Sequence, residues 1–156
     1  MPDKLPNALI GYTGFVGSNL LNQHFFEFLY NSKNINEIQN QNLDTVVCAA
    51  APGYKWLANK EPDKDLNALK NLIENLQKIK AEKFILISTV DVYPTTKEVD
   101  EDFFITEENL LPYGKHRRML ERFIEDSFNS LIVRLPGIFG KGLKKNPIFD
   151  FMHGVV

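Results

Sequence analysis

The stretch IGYTGFVGSNL, Ile10–Leu20, decides the fold. It sets Gly11, Gly14 and Gly17 between an apolar run, Ala8–Ile10, and a segment that reads as a helix from about Phe15 to Gln23. Glycines so placed permit a tight turn, close approach of backbone to a pyrophosphate, and close packing of helix on strand. The free N–H groups at the helix start then face the anion. Glycine triplets alone are a weak signal, because any strand-to-helix turn favours glycine. With a strand before and a helix after, Gly11, Gly14, Phe15, Val16 and Gly17 favour nucleotide binding over a bare structural turn.

Outward from that turn, short apolar runs alternate with helical stretches, the pattern of a parallel α/β sheet. Further strands are predicted at roughly Phe26–Tyr30, Thr45–Ala49, Phe84–Ser88 and Leu131–Leu135. The best helix is Asp63–Lys80, where Leu66, Leu69, Leu72, Ile73, Leu76 and Ile79 form one core-facing stripe behind Pro62. A second begins near Pro112 and buries Met119, Leu120, Phe123 and Ile124. Between Asn31 and Leu43 only Ile35, Ile38 and Leu43 are apolar, so one short crossover helix is the most that segment can hold. About five parallel strands in the order 2-1-3-4-5 follow. Phe103, Phe104, Leu110 and Leu111 predict that the loop before Pro112 packs down.

A chain of 156 residues, without an obvious linker, reads as one domain with a real core. Its 44% hydrophobic and 24% charged residues are those of an ordinary globular protein. A net charge of −2 gives no reason to expect nucleic acid or an acidic membrane as partner. The start, MPDKLPNALIG, lacks the apolar core of a secretory signal, and no run reaches membrane-spanning length. The single cysteine, Cys48, cannot form an internal disulfide, which fits a reducing cytoplasm. His24, His116 and His153 show no metal-ligand spacing, so no metal site is predicted.

The GxxGxxG spacing resembles that of the short-chain dehydrogenase/reductase superfamily, particularly its extended, NAD-dependent epimerase/dehydratase branch. Four further stretches, in order over nearly the whole chain, carry the same resemblance. VVCAAAP, Val46–Pro52, is similar to the strand end where Ala49, Ala50 and Ala51 would pass close to the adenosine ribose. LISTVDVYP, Leu86–Pro94, resembles the strand that delivers a catalytic hydroxyl, here Thr89. PYGKHRRMLE, Pro112–Glu121, resembles the YxxxK helix, with Tyr113 and Arg117 one turn apart on one face. VRLPGIFGKG, Val133–Gly142, resembles the segment that passes the nicotinamide, with Pro136 inside it.

The resemblance implies a Rossmann-like three-layer fold and an NAD(P)-dependent oxidoreductase or epimerase acting on a sugar nucleotide or related carbonyl or alcohol. Tyr113 would be the general acid/base, Thr89 would bind the substrate oxygen, and Arg117 would hold the nicotinamide ribose and bias the phenol. It also leaves room for a homodimer in the cytoplasm.

Three departures matter. About 20 residues past the first glycine, where an acidic residue would grip the ribose 2′-OH, stand Asn31, Ser32 and Lys33. A hydroxyl and a cation suit a 2′-phosphate, placing NADP ahead of NAD; a solvated strand end is the other reading. Arginine replaces lysine at Arg117, which keeps the charge but brings a longer, planar fork. Only about fourteen residues follow Gly142, where extended members continue into a substrate lobe. The chain therefore reads as one dinucleotide-binding domain, residues 1–156, with that lobe largely absent. The altered cation and short tail favour a rival function, a nucleotide-binding or scaffold protein without turnover. The retained Thr89 and Tyr113 oppose it.

Other candidates have plainer readings beside them. Trp56 could stack on a base or sugar, though pinning a loop suits so large an aromatic better. Asn67 is either a site asparagine or an exposed polar residue. Lys141, Lys144 and Lys145 could meet a diphosphate or simply be solvated. Cys48 reads as a small core residue. Asp91, near Thr89, finds no histidine with which to form a hydrolase triad.

Overall fold

In the computed structural model, which describes residues 4–144 and 146–154, five parallel strands form one sheet in the order β2-β1-β3-β4-β5. These are β1 (Ala8–Ile10), β2 (Phe28–Tyr30), β3 (Asn42–Cys48), β4 (Lys80–Thr89) and β5 (Ser130–Leu135). The helices are α1 (Phe15–Leu21), α2 (Lys55–Lys60), α3 (Pro62–Leu76), α4 (Pro112–Ser127) and α5 (Pro147–Met152). This is the Rossmann-like α/β order that the apolar pattern predicts.

Alternation along the central strands sorts their side chains between two faces. Ala8 and Ile10, with Val46, Cys48, Phe84 and Leu86, join Leu69, Leu72 and Leu76 of α3 and Leu120 and Ile124 of α4 in the larger core. Leu9 and Val47 turn to the opposite face, against Phe26 and the α1 residues Leu20 and Leu21. Cys48 lies at the middle of this arrangement, in register with Ile10 on one side and Leu86 on the other. Its burial pushes the thiol up to about 11.

A charged network ties α4 to the ends of β4 and β5. Glu121 is fully buried (0% exposed) and accepts from Ser88 Oγ at 2.6 Å, Arg134 Nη2 at 2.9 Å and Arg118 Nη1 at 2.8 Å. Arg134 also donates to the Tyr93 hydroxyl at 2.8 Å.

Several boundaries differ from expectation. The crossover between β2 and β3 is one 3-10 turn, Ile35–Ile38, within what three apolar residues can support. α3 stops at Leu76 rather than Lys80; Ile79 is buried at helical spacing, yet lies in the turn that feeds β4. β2 starts two residues after Phe26, which packs beneath the sheet from the preceding turn. The loop before α4 does not pack down as a whole. Ile105 is buried and Phe103 meets Tyr93 edge-on at 6.1 Å, but Phe104 (84% exposed) and Leu111 face outward.

Because all five strands run the same way, the glycine turn after β1, the alanines after β3 and Thr89 at the end of β4 gather at one edge of the sheet. That edge is where open α/β sheets bind ligands.

Candidate dinucleotide and proton-transfer site

The glycine turn divides into positions that the chain itself demands and one that it leaves open. Gly11 has φ +86°, and a Cβ there would lie 2.6 Å from the Ala49 carbonyl carbon. At Gly17 a Cβ would fall into the Gly11 carbonyl group, 2.7 Å from its carbon. Both glycines are therefore explained by packing. Gly14 is different: it is exposed, its backbone is extended, and a Cβ would meet nothing nearer than the Gly11 oxygen at 3.4 Å. A methyl would fit at this N-cap without a clash, and the open space before it, where Phe15 and Val16 begin α1, leaves room for a pyrophosphate.

The β2 strand end borders this turn, since Gly11 N–H donates to the Tyr30 carbonyl at 2.7 Å. Asn31 is engaged locally: its oxygen accepts from Lys33 N–H at 2.8 Å and its amide donates to the Tyr12 hydroxyl at 3.1 Å. Ser32 and Lys33 stand exposed beside it. Ala49 N–H donates to Ile10 at 2.8 Å, and Ala49, Ala50 and Ala51 are half-buried next to the turn. Pro136 is exposed at the end of β5, whose following loop returns to α1 through Asn19 Nδ2 and the Lys141 carbonyl, 3.3 Å apart.

Tyr113 is seated by glycine and by an unexpected helix. A Cβ at Gly114 would strike the Asp91 carbonyl, so α4 rests directly on the 3-10 turn Val90–Val92 that follows Thr89. Asn59, from α2, accepts from the Tyr113 N–H at 2.9 Å and so satisfies one of the unpaired donors of that helix start. Burial pushes the Tyr113 phenol above its ordinary value, with Asp91 adding to the rise, while the Arg117 charge and a hydrogen bond with Thr89 oppose it. Thr89 Oγ1 accepts from Asp91 N–H at 3.1 Å and lies 3.3 Å from an Asp91 carboxylate oxygen. The other oxygen of Asp91 takes Lys55 Nζ at 2.5 Å. Lys55, Asp91, Tyr93 and Tyr113 line an open cleft of about 220 Å³.

Arg117 does not extend as a free cation. Its side chain is 2% exposed. Nη1 donates to the buried Asp65 carboxylate, Nη2 donates to the Pro52 carbonyl at 2.5 Å, and the guanidinium carbon lies 3.9 Å from the centre of the Tyr113 ring. The same Asp65 oxygen is 2.7 Å from His116 Nδ1. The resemblance implies a cation on the nicotinamide ribose at this place; the structure shows one held beneath the tyrosine.

Sequence reasoning misses Lys55, Asn59, Asp65 and His116 and sets Asp91 aside. The available signals were Asp91 two residues after Thr89, and His116 adjoining the altered Arg117. Trp56 stands on α2 with more than half of its surface exposed. Asn67, Lys141 and Lys144 are exposed, and Lys145 lies outside the described residues. Among the described residues no group of His, Cys, Asp and Glu is placed to hold a metal, and no helix is long and apolar enough to cross a membrane.

The model of the NAD dependent epimerase/dehydratase family matches residues 22–150. No curated protein matches in sequence. Among solved structures, the dTDP-4-dehydrorhamnose reductase of Bacillus anthracis in complex with NADP is 19% identical, with TM-score 0.76 over 96% of this chain and 59% of that one. The dTDP-4-dehydrorhamnose reductase of Clostridium acetobutylicum is 18% identical, with TM-score 0.74 over 94% and 58%. The UDP-glucuronic acid 4-epimerase of Bacillus cereus in complex with NAD is 20% identical, with TM-score 0.63 over 86% and 57%. The chain thus spans less than two thirds of the length of these structures.

Proposed function

Because the chain belongs to the NAD dependent epimerase/dehydratase family, we propose that it binds a nicotinamide dinucleotide at the glycine turn and acts on a sugar nucleotide. The observation that carries the reading is the open space before Gly14, which leaves room for a pyrophosphate at the start of α1. Gly11–Gly17 would hold the pyrophosphate, with Ala49–Ala51 beside the adenosine ribose and Pro136 near the nicotinamide. Ser32 and Lys33, both exposed at the β2 end, favour a 2′-phosphate and hence NADP. When bound, the dinucleotide supplies the hydride chemistry.

The chain's own residues handle the proton. A phenol is protonated at neutral pH and burial pushes the Tyr113 value further up, so Tyr113 can serve as a proton donor to a developing substrate oxygen. Thr89, at the end of β4, orients that oxygen. The sugar-nucleotide class is supported by the dTDP-4-dehydrorhamnose reductases and the UDP-glucuronic acid epimerase of the same fold.

One observation favours a second reading, a nucleotide-binding protein without turnover: Arg117 is drawn to Asp65 and Pro52. Calorimetry with NADPH and NADH, followed by NADPH consumption with dTDP-4-dehydrorhamnose and a panel of UDP-sugars, separates the two. Turnover that disappears in Tyr113→Phe, with cofactor affinity retained, supports the first. Binding without turnover on any of these supports the second, and absence of binding to either cofactor overturns both.

A further inference from the structure

We propose that Asp65 is a positioning residue for Tyr113, acting through Arg117. Asp65 sits in the first turn of α3, where an acidic side chain would ordinarily be solvated, yet it is buried. One of its carboxylate oxygens holds Arg117 and His116 together, and both come from α4. The fork of Arg117 then reaches three places at once: Asp65 with Nη1, the Pro52 carbonyl with Nη2, and the face of the Tyr113 ring with its central carbon. Pro52 closes the alanine segment that borders the glycine turn. A single carboxylate thus fixes the tyrosine ring, the helix that carries it and the loop next to the dinucleotide site.

Chemistry explains why the cation here is arginine. A buried guanidinium needs a counter-charge and partners for its N–H groups, and its planar fork can serve two acceptors in fixed directions. A lysine ammonium is a point charge and could not take Asp65 and Pro52 in that geometry while also covering the ring. Arg117 is therefore half of a pair whose other half is Asp65. His116 Nδ1, on the same oxygen, holds the carboxylate in its rotamer.

The inference rests on Tyr113 as the proton-transfer group, but its first readout needs no turnover. With ¹³Cζ-labelled tyrosine and Tyr113→Phe to assign the signal, the phenol is titrated by NMR in wild type, Asp65→Asn, Arg117→Met and the double variant. Asp65→Asn frees Arg117 from the ring, so the phenol loses the lowering effect of the guanidinium and titrates at higher pH, and that move largely disappears when Arg117 is already methionine. Dinucleotide affinity, measured with NADPH, falls about tenfold in Asp65→Asn, a loss of about 1.4 kcal/mol. An unchanged titration in Asp65→Asn overturns the proposal, as does a shift of the same size in both backgrounds, which would show Asp65 acting directly through space. Should Asp65→Asn not fold, Asp65→Glu keeps the charge and moves it by one methylene; a wild-type titration there overturns the proposal equally. If NADPH does not bind wild type, the cofactor reading fails while the phenol result still stands or falls by itself.

Discussion

Gly14→Ala and Gly17→Ala change residues three apart in one turn, and the structure predicts opposite failures. At Gly17 the added methyl runs into the backbone of the turn: the Gly11 carbonyl group and, at 2.9 Å, the Tyr12 Cα. Backbone cannot swing away as a side chain would, so α1 must lift from the turn. Overpacking of that kind costs about 1–3 kcal/mol, against which alanine recovers about 1 kcal/mol of helix propensity. A net loss of about 1 kcal/mol, the middle of that range, corresponds to a fall of about 2–4 °C in Tm for a chain of this size. At Gly14 the methyl has only the Gly11 oxygen at 3.4 Å to accommodate, and the backbone is already extended. Stability there changes by less than about 1 kcal/mol, the scale of an N-cap substitution. Binding is what suffers, because the methyl occupies the space assigned to the pyrophosphate, and affinity drops at least tenfold, about 1.4 kcal/mol. Urea unfolding followed by circular dichroism, with calorimetry against NADPH, measures both quantities on both variants. Wild-type affinity in Gly14→Ala, or a wild-type urea midpoint in Gly17→Ala, would refute these roles for the two glycines.

Glu121→Ala leaves Arg134 and Arg118 facing a buried gap and costs about 3–5 kcal/mol, read as an earlier urea midpoint. Lys33→Glu weakens NADPH binding far more than NADH binding if the β2 end takes a 2′-phosphate; equal losses would show Lys33 to be only solvated. Burial pushes the Asp65 carboxyl up, but hydrogen bonds from Arg117 and His116 outweigh it and hold it below its ordinary value. Between the two values the unfolded chain binds the proton more readily, so stability there rises with pH. The contribution is complete above an unfolded value of about 3.9 and is lost as pH falls through the lower folded value. Asp65→Asn therefore flattens that part of the acid-unfolding curve, and a curve of unchanged steepness would count against the pairing.

Strand order was legible because apolar runs and the glycine turn are local signals that tertiary structure did not overrule. The three apolar residues between Asn31 and Leu43 were enough to limit that crossover to a single turn. Boundaries failed where two patterns coincide: Ile79 continues the i+3 spacing of α3 but belongs to the turn before β4, whose first residues are charged and exposed. α2 was missed because KWLANK is short, and its role, offering Asn59 to the start of α4, depends on a contact 54 residues away. Thr89 and Tyr113 stood out by motif. Asp65 did not, since an acidic residue in the first turn of a helix already has a sufficient explanation as a charge facing water near the helix dipole. Only the placement of α3 against α4 shows that it faces Arg117 and His116.

The position of Cys48 makes the molecule its own reporter. It is the sole cysteine of the chain, it lies between Ile10 and Leu86 in the middle of the sheet, and its thiol is both sealed and protonated. Thiolate is the reactive form, so an alkylating reagent finds almost no target in the folded chain. Labelling has to wait until β3 separates from its neighbours. When reclosing outpaces alkylation, the rate then gives the equilibrium between closed and open sheet. Every substitution discussed above can thus be ranked for stability in dilute native buffer, through one natural sulfur atom and without denaturant.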